Sequence, residues 1–204
     1  MDPADTTKAA LTYADQLKEY RHAYEWLLQR GLKPRTIARA GLGYVGRPHP
    51  GHSRFKGAVS IPYPNPAGGF RSIRFRYLDA SRGHKYDSLK GVKVHLYQVQ
   101  NTTKPKVWLC EGEFDALILE QMGYPSVGVA GVNSFRPTWK YLFSSADEVT
   151  LVFDGDDAGR NAANRLASIL GDVASTVRLS RLPIGKDATD VYLDSPTELR
   201  KLVE

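Results

Sequence analysis

The stretch that decides the fold is Val149-Thr-Leu-Val-Phe-Asp-Gly-Asp-Asp-Ala-Gly-Arg160. It opens with a short apolar run, Val149–Phe153, rich in β-branched and aromatic side chains, which is typical of a buried strand in a parallel sheet. Three carboxylates, Asp154, Asp156 and Asp157, then occur within four residues, and an alanine-rich helical pattern follows. Asp154 is therefore predicted at the carboxyl end of a parallel strand, where open α/β sheets bind their ligands.

Two interpretations of these acids are open. Closely spaced carboxylates repel one another unless a cation lies between them, and oxygen-only clusters suit Mg²⁺ or Mn²⁺. Alternatively, an acid at this position caps the start of the following helix. Capping explains Asp156 or Asp157, but it does not explain Asp154 with Gly155 behind it.

The composition is that of an ordinary globular protein. The chain has 204 residues, 42% of them hydrophobic and 25% charged, enough for one large domain or two small ones. No apolar run has membrane-spanning length and the N-terminus has no signal-peptide pattern, so no membrane role is expected. The single cysteine, Cys110, excludes disulfides and cysteine-rich zinc modules, favours a cytosolic setting and is predicted to lie in the core.

The charge is unevenly distributed along the chain. The net charge is +6, but residues 1–100 carry 17 Lys and Arg against 7 Asp and Glu, whereas residues 101–204 carry 11 against 15. A basic half beside an acidic half suggests that one lobe holds a polyanion and the other holds cations. The alternative is a set of solvated basic side chains on an ordinary surface.

The N-terminal half predicts helices and then an antiparallel lobe. Apolar side chains at helical spacing between Tyr13 and Leu27 predict one continuous amphipathic helix. Runs at 57–63 and 70–78, joined by a glycine-containing loop, predict a β-hairpin. His49 and His52 have no cysteine or carboxylate close to them in sequence, so no metal role is expected and both are predicted to be loop histidines.

The hairpin region is strongly basic. Between Arg47 and Lys93 there are ten basic residues and two acidic ones. In the second strand Arg74 and Arg76 fall on one face and Phe75 on the other, because side chains alternate along a strand. This lobe is the predicted surface for a phosphate backbone or a triphosphate.

From Lys106 onward, strands alternate with helices, which predicts βαβ units and a mainly parallel sheet. A Ser195-Pro-Thr-Glu198 capping box predicts the start of a terminal helix. The predicted strands are 107–110, 126–130, 149–153 and 176–180, and the predicted internal helices are 113–122, 137–143 and 158–170.

Three short acidic segments occur in this α/β half of the sequence. They occupy Glu111–Asp115, Asp154–Asp157 and Gly185–Asp190, each just past the end of a predicted strand. Carboxyl ends of parallel strands meet at one edge of a sheet, so these side chains are expected to converge. No histidine, cysteine or serine motif competes with them, and an all-carboxylate site with divalent ions suits phosphoryl or phosphodiester chemistry.

Two of these segments resemble known signatures. EGEFDAL at Glu111–Leu117 and DGDDAGR at Asp154–Arg160 resemble the two motifs of the Toprim fold, which bacterial-type primases, topoisomerases and several nucleases share. Over roughly residues 20–195 the chain resembles the catalytic core of bacterial-type, DnaG-like DNA primases. The further segments that carry this resemblance are Trp26–Val45, Arg54–Tyr63, His84–Gly91, His95–Val99 and the third acidic motif GKDATD at Gly185–Asp190.

The resemblance implies a fold and an activity. The fold is α/β: a Toprim-type, mainly parallel sheet flanked by helices in residues 105–204, preceded by a basic α+β subdomain in residues 1–104. The implied enzyme is a nucleotidyltransferase, a DNA-directed RNA polymerase that makes short RNA primers on single-stranded DNA. The alternatives are a metal-dependent Toprim nuclease and a non-catalytic nucleic-acid-binding replication subunit.

The resemblance also assigns roles to residues. It implies that two Mg²⁺ or Mn²⁺ ions, and no zinc in this chain, are held by carboxylates, and that Asp115 supports its neighbours. Lys186 departs from the family pattern, which often has an acid there. The implied catalytic residues are Glu111, Asp154 and Asp156, and the metal ligands are Glu111, Asp154, Asp156, Asp187 and Asp190. The predicted contacts for nucleic acid or nucleotide are Arg54, Lys56, Arg74, Arg76, Lys85 and Lys93.

The implied partners are a single-stranded DNA template, nucleoside triphosphates and a replicative helicase. Related primases place a cysteine-rich zinc module before this core, and one cysteine cannot build that module. We therefore expect a zinc-module-bearing chain or segment as a further partner, no membrane contact, and a location in the cytoplasm of a bacterial or phage-infected cell.

Overall fold

A computed structural model describes residues 2–79 and 82–204. The chain folds into two compact units, residues 1–93 and 94–204. The division into a basic subdomain at 1–104 and a Toprim domain at 105–204 stays a prediction.

The first unit combines helices with an antiparallel sheet. Within the described residues the sheet has four strands in the order β1-β2-β3-β4. The predicted hairpin is confirmed, because β2 and β3 pair antiparallel with Ser60 opposite Phe75. The helices are α1 (Pro3–Leu17), α2 (Arg21–Gln29) and α3 (Pro34–Arg39), and the strands are β1 (Gly43–Tyr44), β2 (Ala58–Pro64), β3 (Phe70–Tyr77) and β4 (Tyr86–Ser88).

The prediction of one continuous helix between Tyr13 and Leu27 is wrong. The backbone leaves the helical conformation at Tyr20, which has φ −111° and ψ 79°, so α1 and α2 are separate helices. The Tyr20 ring packs on Tyr44 with ring centroids 4.8 Å apart. It also fills the space over Gly46, where an added Cβ would lie 2.2 Å from the ring. The chain between α1 and α2 is therefore held by packing of the Tyr20 ring against distant residues, which the helical spacing of the sequence does not reveal.

The core of the first unit contains the side chain of one of the two histidines predicted to lie in a loop. Phe55 and Phe75 stack with centroids 3.8 Å apart, and His52 packs edge-on against both rings. His52 is fully buried, and its Nδ1 shares a hydrogen bond of 2.8 Å with the Tyr13 hydroxyl. His52 therefore lies in a loop, as predicted, but its ring is a core side chain with a polar partner, which the sequence did not indicate.

The second unit is an α/β sandwich built on a parallel sheet. Within the described residues the sheet has four strands, ordered β6-β5-β7-β8, and all three strand pairs are parallel. This confirms the predicted mainly parallel sheet flanked by helices. The strands are β5 (Lys106–Cys110), β6 (Ser126–Gly128), β7 (Glu148–Phe153) and β8 (Thr176–Arg181), and the helices are α4 (Glu113–Gln121), α5 (Asp157–Leu170), α6 (Ala188–Asp194) and α7 (Pro196–Val203).

The central strands β5 and β7 carry the core of this unit. Leu109 lies opposite Leu151 in the register, and both are fully buried. Cys110 is also fully buried, as predicted. The predicted helix at 137–143 is a 3-10 helix, Pro137–Phe143, whose Phe143 belongs to the same core.

The predicted capping box at the last helix is only half formed. Ser195 Oγ accepts a hydrogen bond from the backbone N–H of Glu198 at 3.2 Å. The Ser195 N–H instead donates to the carbonyl of Val191 at 2.9 Å, because α6 runs directly into α7. Across 2–79 and 82–204, we find no helix that is both long enough and apolar enough to span a membrane.

Close approach of α1 to β1 makes Gly43 a sensitive position. A Cβ at Gly43 would lie 2.4 Å from the carbonyl carbon of Tyr13, which is backbone and cannot rotate away. We expect Gly43→Ala to lower the free energy of unfolding by about 3 kcal/mol, as for other overpacked sites. Thermal melting by circular dichroism measures this. Gly171→Ala, where the added methyl would lie 3.2 Å from the Ala167 carbonyl oxygen, is the control, and equal losses in both variants would contradict the contact.

Candidate active site

Parallel pairing of β5 with β7 brings the first two acidic motifs together. Cys110 lies opposite Val152 in the register, so Glu111 and Asp154 both follow the carboxyl ends of adjacent strands. The Asp154 N–H donates to Glu111 Oε2 at 3.5 Å. The predicted convergence of these two motifs is therefore present in the fold.

The carboxylates at this edge repel one another. Burial, followed by repulsion from Glu111 and Asp187, raises the pKa of Asp154 from 3.8 to about 7. Burial also raises the pKa of Glu111, against a lowering by the N–H of Asp154, and the charges of Asp156 and Asp115 raise it further. The edge thus has an excess of negative charge and oxygen ligands only, which is the chemistry that Mg²⁺ and Mn²⁺ prefer.

Three of the five predicted metal ligands also cap helices. Asp156 is the N-cap of α5, and its Oδ1 accepts from the N–H of Gly159 at 2.7 Å. Asp187 and Asp190 form a capping box at α6: the Asp190 N–H donates to Asp187 Oδ1 at 2.6 Å, and the Asp187 N–H donates to Asp190 Oδ2 at 3.3 Å. The capping interpretation therefore accounts for Asp156.

The carboxylate oxygens of these residues are suitable ligands for a divalent ion. The carboxylates are not, however, grouped closely enough to surround a single ion. In the part of the chain that the structure describes, no three His, Cys, Asp or Glu side chains are grouped so that they could hold a metal ion. Mg²⁺ commonly takes only one or two protein carboxylates and keeps several waters. The adjacent pair Glu111 and Asp154 meets that smaller requirement, and the full ligand set stays a prediction.

The second and third acidic motifs are interlocked through their backbones. The Gly155 N–H donates to the carbonyl of Lys186 at 2.9 Å, and the Gly185 N–H donates to the carbonyl of Gly155 at 3.3 Å. A Cβ at Gly155 would lie 1.9 Å from the carbonyl oxygen of Pro183, so only glycine fits between these loops. Asp154 and Asp187 are consequently held by one rigid backbone arrangement.

Asp115 connects α4 to α6, and its partner was not found from the sequence. Its Oδ1 accepts from the backbone N–H and the hydroxyl of Thr189 at 3.1 and 2.8 Å. Burial, then the charge of Asp187, raises the pKa of Asp115 to about 7. These two bonds hold the N-terminal turn of α6 in place, which is the supporting role expected of Asp115. Thr189 lies 74 positions away, and its residue type alone gives no signal.

The six basic residues predicted to contact nucleic acid or nucleotide all lie in the first unit, but they differ in exposure and in the side chains that they contact. Arg54 pairs with Asp87 at 3.2 Å and lies over the Phe55 ring, so this exposed arginine already has partners in the first unit. Arg74 and Arg76 lie over the Tyr86 ring at 4.3 and 5.1 Å. The remaining predicted contacts, Lys56, Lys85 and Lys93, are exposed. Their role in binding nucleic acid or nucleotide stays a prediction.

Comparison with known proteins identifies the family. A Toprim-like family model matches residues 108–192, which span the acidic edge. The Gene 57 protein of Mycobacterium phage D29 is 31% identical over 143 residues, covering 67% of this chain and 91% of that protein. A DNA primase of Neisseria meningitidis is 31% identical over 189 residues, covering 75% of this chain and 32% of that protein. The chain belongs to the family of DnaG-like primase cores with a Toprim domain.

Solved structures share the fold of this DnaG-like core. A DNA primase domain from Pseudomonas aeruginosa superposes with a TM-score of 0.80 at 23% identity, covering 98% of this chain and 77% of that one. The DnaG-like core described here spans about a third of the length of the curated Neisseria primase.

Burial of Asp154, together with repulsion from its acidic neighbours, predicts a stabilising substitution. Because the pKa of Asp154 is raised to about 7, its ionisation disfavours the folded state as the pH rises from about 4 through 7. Without divalent metal at pH 8, we expect Asp154→Asn to raise the free energy of unfolding by roughly 1–2 kcal/mol, after allowance for solvent screening. Below about pH 3 the two proteins should be equally stable, since the carboxyl is then largely neutral in both states.

Urea denaturation in EDTA and in Mn²⁺ measures this effect. Mn²⁺ should stabilise the original protein and have little effect on Asp154→Asn. Asp172→Asn is the control, because Asp172 pairs with Lys140 away from the acidic edge and should gain no stability at pH 8. A loss of stability in Asp154→Asn at pH 8 would show that the ionised Asp154 carboxylate does not destabilise the folded protein.

Proposed function

We propose that this protein is the catalytic core of a DNA primase, a nucleotidyltransferase that makes short RNA primers on single-stranded DNA. The observation that carries the proposal is the meeting of Glu111 and Asp154 at the acidic edge of the Toprim-like sheet. The basic antiparallel unit supports the primase over a nuclease, since a bare nuclease needs the acidic motifs but not this unit.

The proposed ligands of a divalent ion are Glu111, Asp154, Asp156, Asp187 and Asp190. Two bound Mg²⁺ or Mn²⁺ ions would supply charge neutralisation on the attacking 3′-hydroxyl and the α-phosphate. Glu111 and Asp154 are adjacent and partly buried. A cation between them would relieve their repulsion, so we place the first ion on this pair. Thr189 and Asp115 position the N-terminus of α6, which carries Asp187 and Asp190.

The substrates and partners follow from the same proposal. The basic side chains of the first unit would hold the phosphates of a single-stranded template and of nucleoside triphosphates. A replicative helicase and a zinc-module-bearing chain or segment would act with this core, in the cytoplasm of a bacterial or phage-infected cell. Relatives named as DNA primases support the single-stranded template and the nucleoside triphosphates as substrates.

Nucleotide incorporation tests the proposed activity. With single-stranded DNA, a short annealed primer, ribonucleotides and Mn²⁺, we expect primer extension that falls roughly 100-fold or more in Asp154→Asn, because the variant loses a metal ligand. Asp172→Asn should extend primers normally. A parallel cleavage assay uses the same protein and metal. Cleavage without incorporation would establish the nuclease alternative, and DNA binding without either reaction would establish the non-catalytic one.

The salt dependence of DNA binding tests the basic unit. If the exposed Lys85 contacts a phosphate, Lys85→Gln should reduce the log–log salt slope of single-stranded DNA binding by roughly 0.7. Fluorescence anisotropy of a labelled oligonucleotide at several salt concentrations gives the slope. Lys104→Gln, an exposed lysine of the second unit, is the matched control. An unchanged slope in Lys85→Gln would remove Lys85 from the contact set.

A further inference from the structure

Strand β8 forms an open edge of the parallel sheet. It pairs with β7 along its whole length, from Thr176 opposite Glu148 to Arg181 opposite Phe153. Within residues 2–79 and 82–204, no strand pairs with the other side of β8. An edge strand directs backbone N–H and C=O groups outward, where an additional strand can bond to them. Because β8 is six residues long, contains no proline and keeps a regular register, it presents an unbroken backbone edge.

The two faces of β8 differ in how they are covered. On one face α7 lies close, since Ser180 Oγ donates to the carbonyl of Leu202 at 2.8 Å. Side chains alternate along a strand, so Leu179 and Arg181 lie on the opposite face, towards α5. The helix covers that face incompletely, because Leu179 remains 42% exposed. The edge and this part of the face are therefore accessible together.

A cleft of about 360 Å³ lies between β8 and α5 on this face. Its lining combines apolar side chains, among them Ala163 and Leu179, with the polar side chains of Asn164 and Arg181. Asp154 also lines the cleft, which therefore adjoins the acidic edge. Mainly apolar clefts of this size with a few polar groups are typical of ligand sites. This one is large enough to take an apolar side chain from a bound segment.

Arg181 is the available cation of this cleft. Arg160 also lines it, but its guanidinium donates to the carbonyl of Gly155 and pairs with Asp157 at 2.7 Å. In the described part of the chain, the side chains of Arg181 and Asn164 form no hydrogen bond or ion pair. The positive charge disfavours pairing of β8 with a second copy of itself, because the two copies would add like charges to one edge. It favours a segment that carries a carboxylate at the matching position.

We propose that β8 and the cleft bind an extended segment of a partner protein, which adds to the sheet as a fifth strand. In this segment an apolar side chain lies opposite Leu179 and enters the cleft, and a carboxylate two residues away lies opposite Arg181. The spacing follows from the strand, since Leu179 and Arg181 are two residues apart on one face. Main-chain hydrogen bonds supply affinity in this mode of recognition, and side-chain contacts supply specificity. The inference goes beyond primer synthesis and does not depend on it.

Selection from a random hexapeptide library on the immobilised protein tests the expected motif. We expect the enriched peptides to share an apolar residue and an aspartate or glutamate two positions apart. The same selection on Arg181→Glu should replace that acid with lysine or arginine, because the charge that it meets is reversed. Enrichment of no sequence, of sequences without this spacing, or of the same acidic peptides by both proteins would overturn the proposal.

A labelled peptide from the selection separates backbone pairing from side-chain contacts. Fluorescence anisotropy should show binding roughly 10- to 100-fold weaker for Arg181→Gln, which loses a charged hydrogen bond. Methylation of the alternate peptide nitrogens that face β8 should abolish binding, because it removes donors that the added strand needs. Arg165→Gln, which removes an exposed arginine of α5 outside the cleft, should bind the peptide normally. Equal affinity of the methylated peptide would show that the segment does not add as a strand.

Two further measurements identify other occupants. A concentration-dependent dimer in sedimentation velocity, strengthened by Arg181→Gln, would assign the edge to a second copy of this chain. Displacement of the peptide by pyrophosphate or by a short single-stranded oligonucleotide would assign Arg181 to a phosphate ligand. Either result would overturn the proposal. None of these measurements uses primer extension, so the proposed function and this inference can fail separately.

Discussion

The parallel register between β5 and β7 is the constraint on which the candidate site depends. It places the residues that follow both strands at the same edge of the sheet, so Glu111 and Asp154 meet although 43 positions separate them. Residues 107–110 of β5 and 149–153 of β7 are all buried, so packing on both faces of the sheet holds the two strands side by side. Hydrophobic packing thus supplies the force that keeps two mutually repelling carboxylates together.

The acids at this edge serve the fold and the proposed chemistry at once. Asp156 and Asp187 begin α5 and α6 as N-caps, where a negative charge is favourable beside the helix N-terminus. Asp154 caps nothing in the described structure and has the raised pKa of a crowded, part-buried group. Helix capping and metal binding are therefore compatible interpretations of the acidic motif. Capping fixes the positions of Asp156 and Asp187, whereas the Asp154 carboxylate caps no helix and is destabilised by burial and repulsion when it is ionised.

Local sequence patterns predicted the parallel sheet, the hairpin and the meeting of the first two acidic motifs, because each follows from strand periodicity and strand direction. They failed where a distant partner decides the outcome. The predicted single helix is interrupted between Leu17 and Arg21, where the Tyr20 ring packs on Tyr44. His52 is buried with a hydrogen bond to the Tyr13 hydroxyl. Thr189 gave no signal for the same reason. Such contacts depend on tertiary placement, which periodicity does not encode.

Close packing at Gly155 couples the loop that follows β7 to the loop that precedes α6. Since the carbonyl oxygen of Pro183 occupies the space that a side chain at position 155 would need, neither loop can shift without carrying the other. A displacement of Asp154 of a few tenths of an ångström would therefore be transmitted through the main chain to the start of α6. The spacing between the second and third acidic motifs is set by backbone contact, so substitutions in either loop are constrained by the shape of the other.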